Sequence, residues 1–199
     1  MDAIRQARDS APPLPKRGFP ELVSVSRITP MKEYVKLVDA FHLVLKSFPN
    51  AQLTIIGDGP ELDRIRQAAG EELDRHIHLT GALYDEAQIA PYMNRADAFV
   101  MTGRVGLSIN HALGYNLPVI CFERGERGPF HGSEAAHLIP GATGCAAAGY
   151  EAADFASEII SVFTQQPDFK ARHRDSISSY VAANLSVDLM VKGFHNIDA

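Results

Sequence analysis

From residue 22 onward, short apolar runs alternate with longer stretches of helical spacing. Leu22 to Val25, Gln52 to Ile56, His76 to Thr80, Asp97 to Met101, Leu117 to Phe122 and Thr143 to Ala147 read as buried strands, most of them followed by turn residues. Between Glu33 and Phe48, apolar residues fall at Val35, Leu37, Val38, Phe41, Val44 and Leu45, the spacing of a helix with one buried face. A polar helix carrying Leu62 and Ile65 runs to about Glu72, with Pro60 placed as its first residue and Asp58 or Gly59 near its cap. Asp85 with Gln88 resembles a capping box that opens a helix through Tyr92 and Met93. Leu107, Ile109, Ala112 and Leu113 fit a short helix, closed by Asn116 in a left-handed conformation and stopped by Pro118. A short helix over Ser133 to Leu138 and longer ones over Glu151 to Thr164, Asp168 to Ala183 and Ser186 to His195 complete the pattern.

Strands that alternate with helices in this way predict an α/β fold, a doubly wound parallel sheet of Rossmann-like type. The loops at the carboxyl ends of the strands are Ser26–Lys32, Gly57–Pro60, Thr80–Leu83, Thr102–Gly106 and Glu123–Gly132. They should lie side by side on the edge where such sheets bind ligands. Residues 1–18 are polar, then Pro-rich, then basic, and read as a leader or linker with at most a frayed helical turn. Residues 19–199 form the domain.

Composition narrows the partners. The 199 residues, 46% hydrophobic, suffice for one substantial core, and a net charge of −5 gives no electrostatic footprint for nucleic acid. No apolar run approaches the ~20 residues of a membrane span. Residues 1–8 lack the apolar core of a signal peptide. The expectation is a cytoplasmic protein without a transmembrane segment, peripheral at a membrane only through a partner or a missing domain. Cys121 and Cys145 sit in apolar runs and read as free buried thiols.

Candidate chemistry gathers around Thr102–Cys121. There a strand ends in a loop bearing Gly103 and Gly106 and opens directly into a helix, so free backbone N–H groups and the helix dipole point to where an anion is well held. Arg27 and Lys32 share the first strand-end loop and read either as a diphosphate clamp opposite Gly106 or as two solvated charges. His111, about one turn into the helix, reads either as ligand-reaching or as a satisfied structural imidazole. His131, Glu134 and His137 match no closed zinc spacing, and no metal is expected. His131 and Glu134 read instead as flanking a ligand-facing helix start. Arg124 and Arg127, alternating with Glu123 and Glu126, read as a solvated loop. The Gly57-Asp-Gly-Pro60 turn fails the dinucleotide fingerprint because Leu62 occupies its last position, and no phosphate loop of the Walker type is present.

Taken together, Val23-Ser-Val-Ser-Arg-Ile-Thr-Pro-Met-Lys32, Leu53-Thr-Ile-Ile-Gly-Asp-Gly-Pro60, His76-Ile-His-Leu-Thr-Gly81, Ala96 to Val100, and Gly106-Leu with Ala112-Leu-Gly-Tyr-Asn-Leu-Pro-Val-Ile120 resemble the group 1 (family 4) retaining glycosyltransferases. The match, over about residues 20–197, is to a single C-terminal half of the GT-B architecture, the half that binds the nucleotide-sugar donor. The resemblance implies a nucleotide-diphospho-sugar-binding domain of an enzyme for surface or extracellular polysaccharide synthesis, incompetent for transfer without its acceptor-binding half. It places Arg27 and Lys32 on the leaving diphosphate as catalytic groups. It places Thr80, Gly81 and Ala82 at the nucleotide base, Val105, Gly106 and Leu107 at the phosphates, and His111 where a ribose-holding residue stands. Gly57, Gly103, Arg104, His131 and Glu134 are further candidates. The implied donor is of UDP or GDP type and no cofactor is implied. The implied partner is the missing N-terminal half, in cis or on another chain. Two departures stand out: Gly103 and His111 replace both carboxylates of the family's Glu-x7-Glu motif, and the chain is about half the family's size. Two other readings remain open, a non-catalytic interaction module that kept the fold and half of a sugar-nucleotide epimerase.

Overall fold

The computed structural model describes residues 1–126 and 128–185. Six parallel strands form one sheet in the order β3-β2-β1-β4-β5-β6, with β1 Glu21–Val25, β2 Gln52–Ile56, β3 Ile77–Leu79, β4 Ala98–Met101, β5 Val119–Phe122 and β6 Gly144–Ala147. The register runs Leu22 beside Leu53 and Ala98, Phe99 beside Val119, and Ile120 beside Cys145. The strand order reverses between β1 and β4, where the chain stops building one half of the sheet and starts the other.

Because successive strand residues point to opposite faces, the apolar runs supply two cores at once. Leu22, Leu53, Ile55, Ala98, Val100, Ile120 and Phe122 face one side. There they meet α2 (Tyr34–Ser47), α3 (Leu62–Ala69) and α6 (Ala152–Gln165). Val23, Ile56, Phe99, Met101, Val119 and Cys121 face the other. There they meet α4 (Glu86–Arg95), α5 (Ser108–Gly114) and α7 (Phe169–Asn184). Cys121 is fully buried, which pushes its thiol up to about 12; both cysteines are free.

The strands and helices fall within a few residues of the expected bounds, and Asn116 closes α5 at φ 53. Four local expectations are corrected. Pro60 does not begin α3: the 57–60 turn is held by Leu62 N–H on Gly59 O, and the helix starts at Leu62 with Glu61 as its cap residue. Asp85 caps α4 through Ala87 N–H, but the reciprocal bond from Gln88 does not form, and Gln88 is exposed. A reciprocal cap forms instead between Glu151 and Asp154 at α6. The third correction concerns the leader. Residues Asp2–Ser10 form a nine-residue helix, α1, whose Ile4 and Ala7 pack on the α4/α5 core. Arg8 donates to Gly114 O and Asn94 donates to the carbonyls of Arg8 and Ala11. The expected short helix at Ser133 is a 3-10 turn, Ser133–His137. The expected helix over Ser186–His195 and the side chain of Arg127 lie outside the described residues.

Candidate active site

All the strand-end loops meet on one edge, and two of them flank the β1/β4 reversal. The β1–α2 loop carries Arg27, which is exposed and makes no hydrogen bond or ion pair among the described residues. It then tightens into a 3-10 turn, Pro30–Lys32. The β4–α5 loop is latched to it by backbone: Gly103 N–H donates to Lys32 O at 3.1 Å and Arg104 N–H to Met31 O at 2.8 Å. Thr102 Oγ1 donates to Glu33 O, and the Lys32 ammonium folds onto Arg104 O at 2.6 Å. Gly103 has a steric reason to be glycine. A Cβ there would stand 2.3 Å from both Lys32 C and Met31 O, so no side chain fits where the related motif has Glu. Burial and then the Arg104 charge hold the Lys32 pKa below its ordinary value, with Glu134 opposing.

On the β2/β3 side the edge is stitched by Gly57 N–H on Gly81 O at 2.9 Å and Ile28 N–H on Asp58 O at 2.9 Å. A Cβ on Gly57 would lie 2.0 Å from Ser26 O, so glycine is required for the close approach of these loops. Thr80 donates its N–H to Ile55 O and its hydroxyl to Gly81 O. The result is a cleft made of two adjoining cavities that share Val25, Ser26 and Arg27. One, of about 550 Å³, is walled by Gly57, Asp58, Gly59, Ala82, Leu83 and Tyr84. The other, of about 390 Å³, is walled by Lys32, Glu86, Leu107, Ser108 and His111.

His131 works behind the cleft. Its Nδ1 accepts Val105 N–H at 3.3 Å while its Nε2 donates to Phe122 O at 2.9 Å, and Gly132 N–H returns to Val105 O. Both nitrogens are engaged as in a neutral imidazole, and burial holds its pKa below the usual value. This pairing fixes the Val105 turn that presents Gly106 and Leu107. The Glu134 carboxylate lies 3.9 Å from where a Cβ on Gly106 would stand. His111 lines the smaller cavity, and its Nε2 is 3.0 Å from both oxygens of Glu86. Tyr115 donates its hydroxyl to the same carboxylate at 2.7 Å, and burial together with Glu86 raises its pKa.

Arg27, Gly57, Ala82, Lys32, Leu107 and His111 therefore line one cleft. Thr80, Gly81, Val105, Gly106, Gly103 and Arg104 shape its loops, and His131 and Glu134 stand behind. Glu86, Ser108, Tyr84 and Tyr115 were not anticipated. Glu86 meets His111 across 25 residues of sequence, and no local pattern announces such a contact. A larger cavity, about 690 Å³, opens at the opposite, amino-terminal edge of the sheet, between α1, α4 and α7. Several of its polar groups are engaged within the fold: Lys170 caps the Asn94 and Ala96 carbonyls at the end of α4, and Arg8 pairs with Asp9. Among the described residues no three His, Cys, Asp or Glu side chains cluster as a metal site, and no helix is long and apolar enough to cross a membrane.

Residues 19–165 match the family model described as "Glycosyl transferases group 1". The chain belongs to the group 1 glycosyltransferases. It is 34% identical over 104 residues to the alpha-monoglucosyldiacylglycerol synthase of Acholeplasma laidlawii, an overlap of 49% of this chain and 25% of that protein. It is 28% identical over 96 residues to the poly(glycerol-phosphate) alpha-glucosyltransferase of Bacillus subtilis (strain 168), covering 48% of this chain and 13% of that one. The aligned region thus spans a quarter or less of these curated relatives. Among solved structures, S. aureus TarM in complex with fondaparinux, alpha-GlcNAc-glycerol and UDP superposes at a TM-score of 0.76, 18% identity, over 94% of this chain and 36% of that one. The C-terminal domain of the group 1 protein LpcC from Francisella tularensis superposes at 0.66, 16% identity, over 92% of this chain and 98% of that one. The sheet and its flanking helices are those of one Rossmann-like half of a GT-B enzyme.

Proposed function

We propose that this chain is the donor-binding half of a retaining glycosyltransferase that builds a cell-surface polymer from a nucleoside-diphosphate sugar, with UDP the first base to test. One observation carries the reading. Arg27 and the Lys32 ammonium stand on one side of the β1/β4 reversal, the Val105–Ser108 turn stands on the other, and a continuous cleft runs between them toward Ala82. A diphosphate seated there meets two cations and the backbone N–H groups that open α5, so charge developing on the leaving group is stabilised without a resident metal. The reaction needs an acceptor-binding half in cis or on a second chain. Met31, Tyr84, Leu107 and Phe130, 61 to 92% exposed, come from four different strand-end loops on the edge of the cleft, Tyr84 and Leu107 lining it directly, and this exposed apolar surface suits such a half.

UDP at a hundredfold excess over its Kd should stabilise the protein by about 2.7 kcal/mol and raise Tm by roughly 5–10 °C. Arg27→Ala with Lys32→Ala should weaken UDP about 10- to 100-fold by calorimetry, the size of one or two lost charge-assisted hydrogen bonds. Silence with UDP, GDP and ADP, in both melting and calorimetry, would sink the reading.

A further inference from the structure

We infer that Glu86 is the residue of this cleft that reads sugar hydroxyls: its carboxylate accepts hydrogen bonds from a vicinal diol on the ligand whose anionic part lies against Arg27 and Lys32. The inference rests on the nucleotide-sugar reading above and adds a specificity residue to it, one contributed by the first turn of α4.

Among the described residues, Glu86 is the one acidic side chain lining the smaller cavity, whose walls also carry Arg27 and Lys32. It pairs with neither cation among those residues. Its partners are His111 Nε2 at 3.0 Å and Tyr115 Oη at 2.7 Å, both from the α5 side. A carboxylate offers about four acceptor positions, and two donors leave part of that capacity unused. The Glu86 side chain keeps 31% of its surface exposed, against 17% for His111. It adjoins the proposed diphosphate seat, so a second anionic group there would be repelled. What it can bind is a neutral donor, and two adjacent hydroxyls present a pair of O–H groups that match the two carboxylate oxygens. Ser108 lines the same cavity, and its buried Oγ has no hydrogen-bond partner. A buried polar atom without a partner is uncommon in folded proteins, and a turn of the Ser108 rotamer toward the cavity would offer its hydroxyl to the same ligand. A purely structural tie between α4 and α5 accounts for the His111 and Tyr115 bonds but not for the part of the Glu86 carboxylate left exposed on the cavity wall.

The diol belongs either to the ribose or to the transferred sugar, and the ligands separate the two. UDP, 2′,3′-dideoxy-UDP and UDP-glucose are titrated by calorimetry into the wild type, Glu86→Gln and Tyr115→Phe, after thermal melts establish that each is folded. For a ribose diol, Glu86→Gln loses about 10- to 50-fold for UDP, the range for hydrogen bonds to a charged group. The same variant then binds the dideoxy ligand within twofold of the wild type. For hydroxyls of the transferred sugar, UDP is unchanged and the advantage of UDP-glucose over UDP disappears. Tyr115→Phe keeps the carboxylate but loosens it, and shows the same ligand-selective loss at about two- to fivefold. Equal losses for all three ligands, or none, overturn the role of Glu86 while leaving the donor reading intact. A wild type that binds neither UDP nor UDP-glucose overturns both.

Discussion

At the scale of single residues, the unorthodox positions have physical reasons. Gly103 stands where the related motif carries a carboxylate. The backbone of Lys32 passes so close that a Cβ would overlap it, and the two loops share a pair of backbone hydrogen bonds at that point. Gly103→Ala should therefore force the β1 and β4 loops apart. We expect a loss of about 2–3 kcal/mol and a Tm lower by roughly 5–10 °C in a melt, together with weaker UDP binding because Lys32 moves. A variant that melts with the wild type would show that the latch yields at no cost. His111 shows how far a sequence can be read at one position. It was legible as ligand-reaching or as a satisfied imidazole; the structure gives the imidazole its partner, Glu86, and places the pair on the wall of the cleft.

At the scale of elements, local pattern placed the strands and helices, but it could not value α1. Residues 2–10 are mostly polar and the Pro-rich run follows, so taken alone they look like a linker. Their few apolar side chains acquire meaning only against α4 and α5. There Gly114 leaves room for Ile4, whose Cγ2 would be 2.8 Å from any Cβ at that position. Ile4→Ala should cost about 1–2 kcal/mol, less than a fully buried truncation because Ile4 is half-buried, and lower Tm by roughly 3–8 °C. Calorimetric unfolding measures this, and an unchanged Tm would mean that α1 is merely laid on the surface. The capping signals split for a similar reason. Asp85 needs only its own helix to cap α4, whereas the reciprocal bond depends on a side-chain geometry that Gln88, exposed, does not adopt.

At the scale of the whole molecule, two histidines tie regions that are distant in sequence, and their protonation links stability to pH. His78 donates to Gln52 Oε1 on the neighbouring strand, and burial, with Arg17 and Arg95 adding repulsion, lowers its pKa to about 4. His131 clasps the β4–α5 and β5 loops and is lowered by burial. An unfolded histidine titrates near 6.5. Between the two values the unfolded chain binds the proton that the fold refuses. The stabilisation is therefore complete above about pH 6.5 and is lost as pH falls toward 4. Because His78 is partly solvated, the loss is on the order of 2 kcal/mol rather than the full shift. Urea unfolding at pH 7.5, 6, 5 and 4.5 should show it, and His78→Gln should flatten the curve. A stability that is level across this range would contradict the assignment.

The sequence by itself determined the class of fold and the order of its loops. Period-2 and period-3.6 patterns are local, and a strand–helix alternation allows few architectures once crossovers are right-handed. It also determined which loops lie on one edge, since each follows a strand in a parallel sheet. Only the tertiary structure decided which of those loops touch, because the reversal between β1 and β4 brings together residues some seventy positions apart, such as Lys32 and Arg104. The same long-range packing decided that Gly103 serves a backbone contact, that His131 holds a turn, that Ile4 and Ala7 of α1 pack against the core, and that a carboxylate from α4 lines the same cavity as the two cations. Such contacts depend on how elements are placed in space, and no spacing along the chain records them.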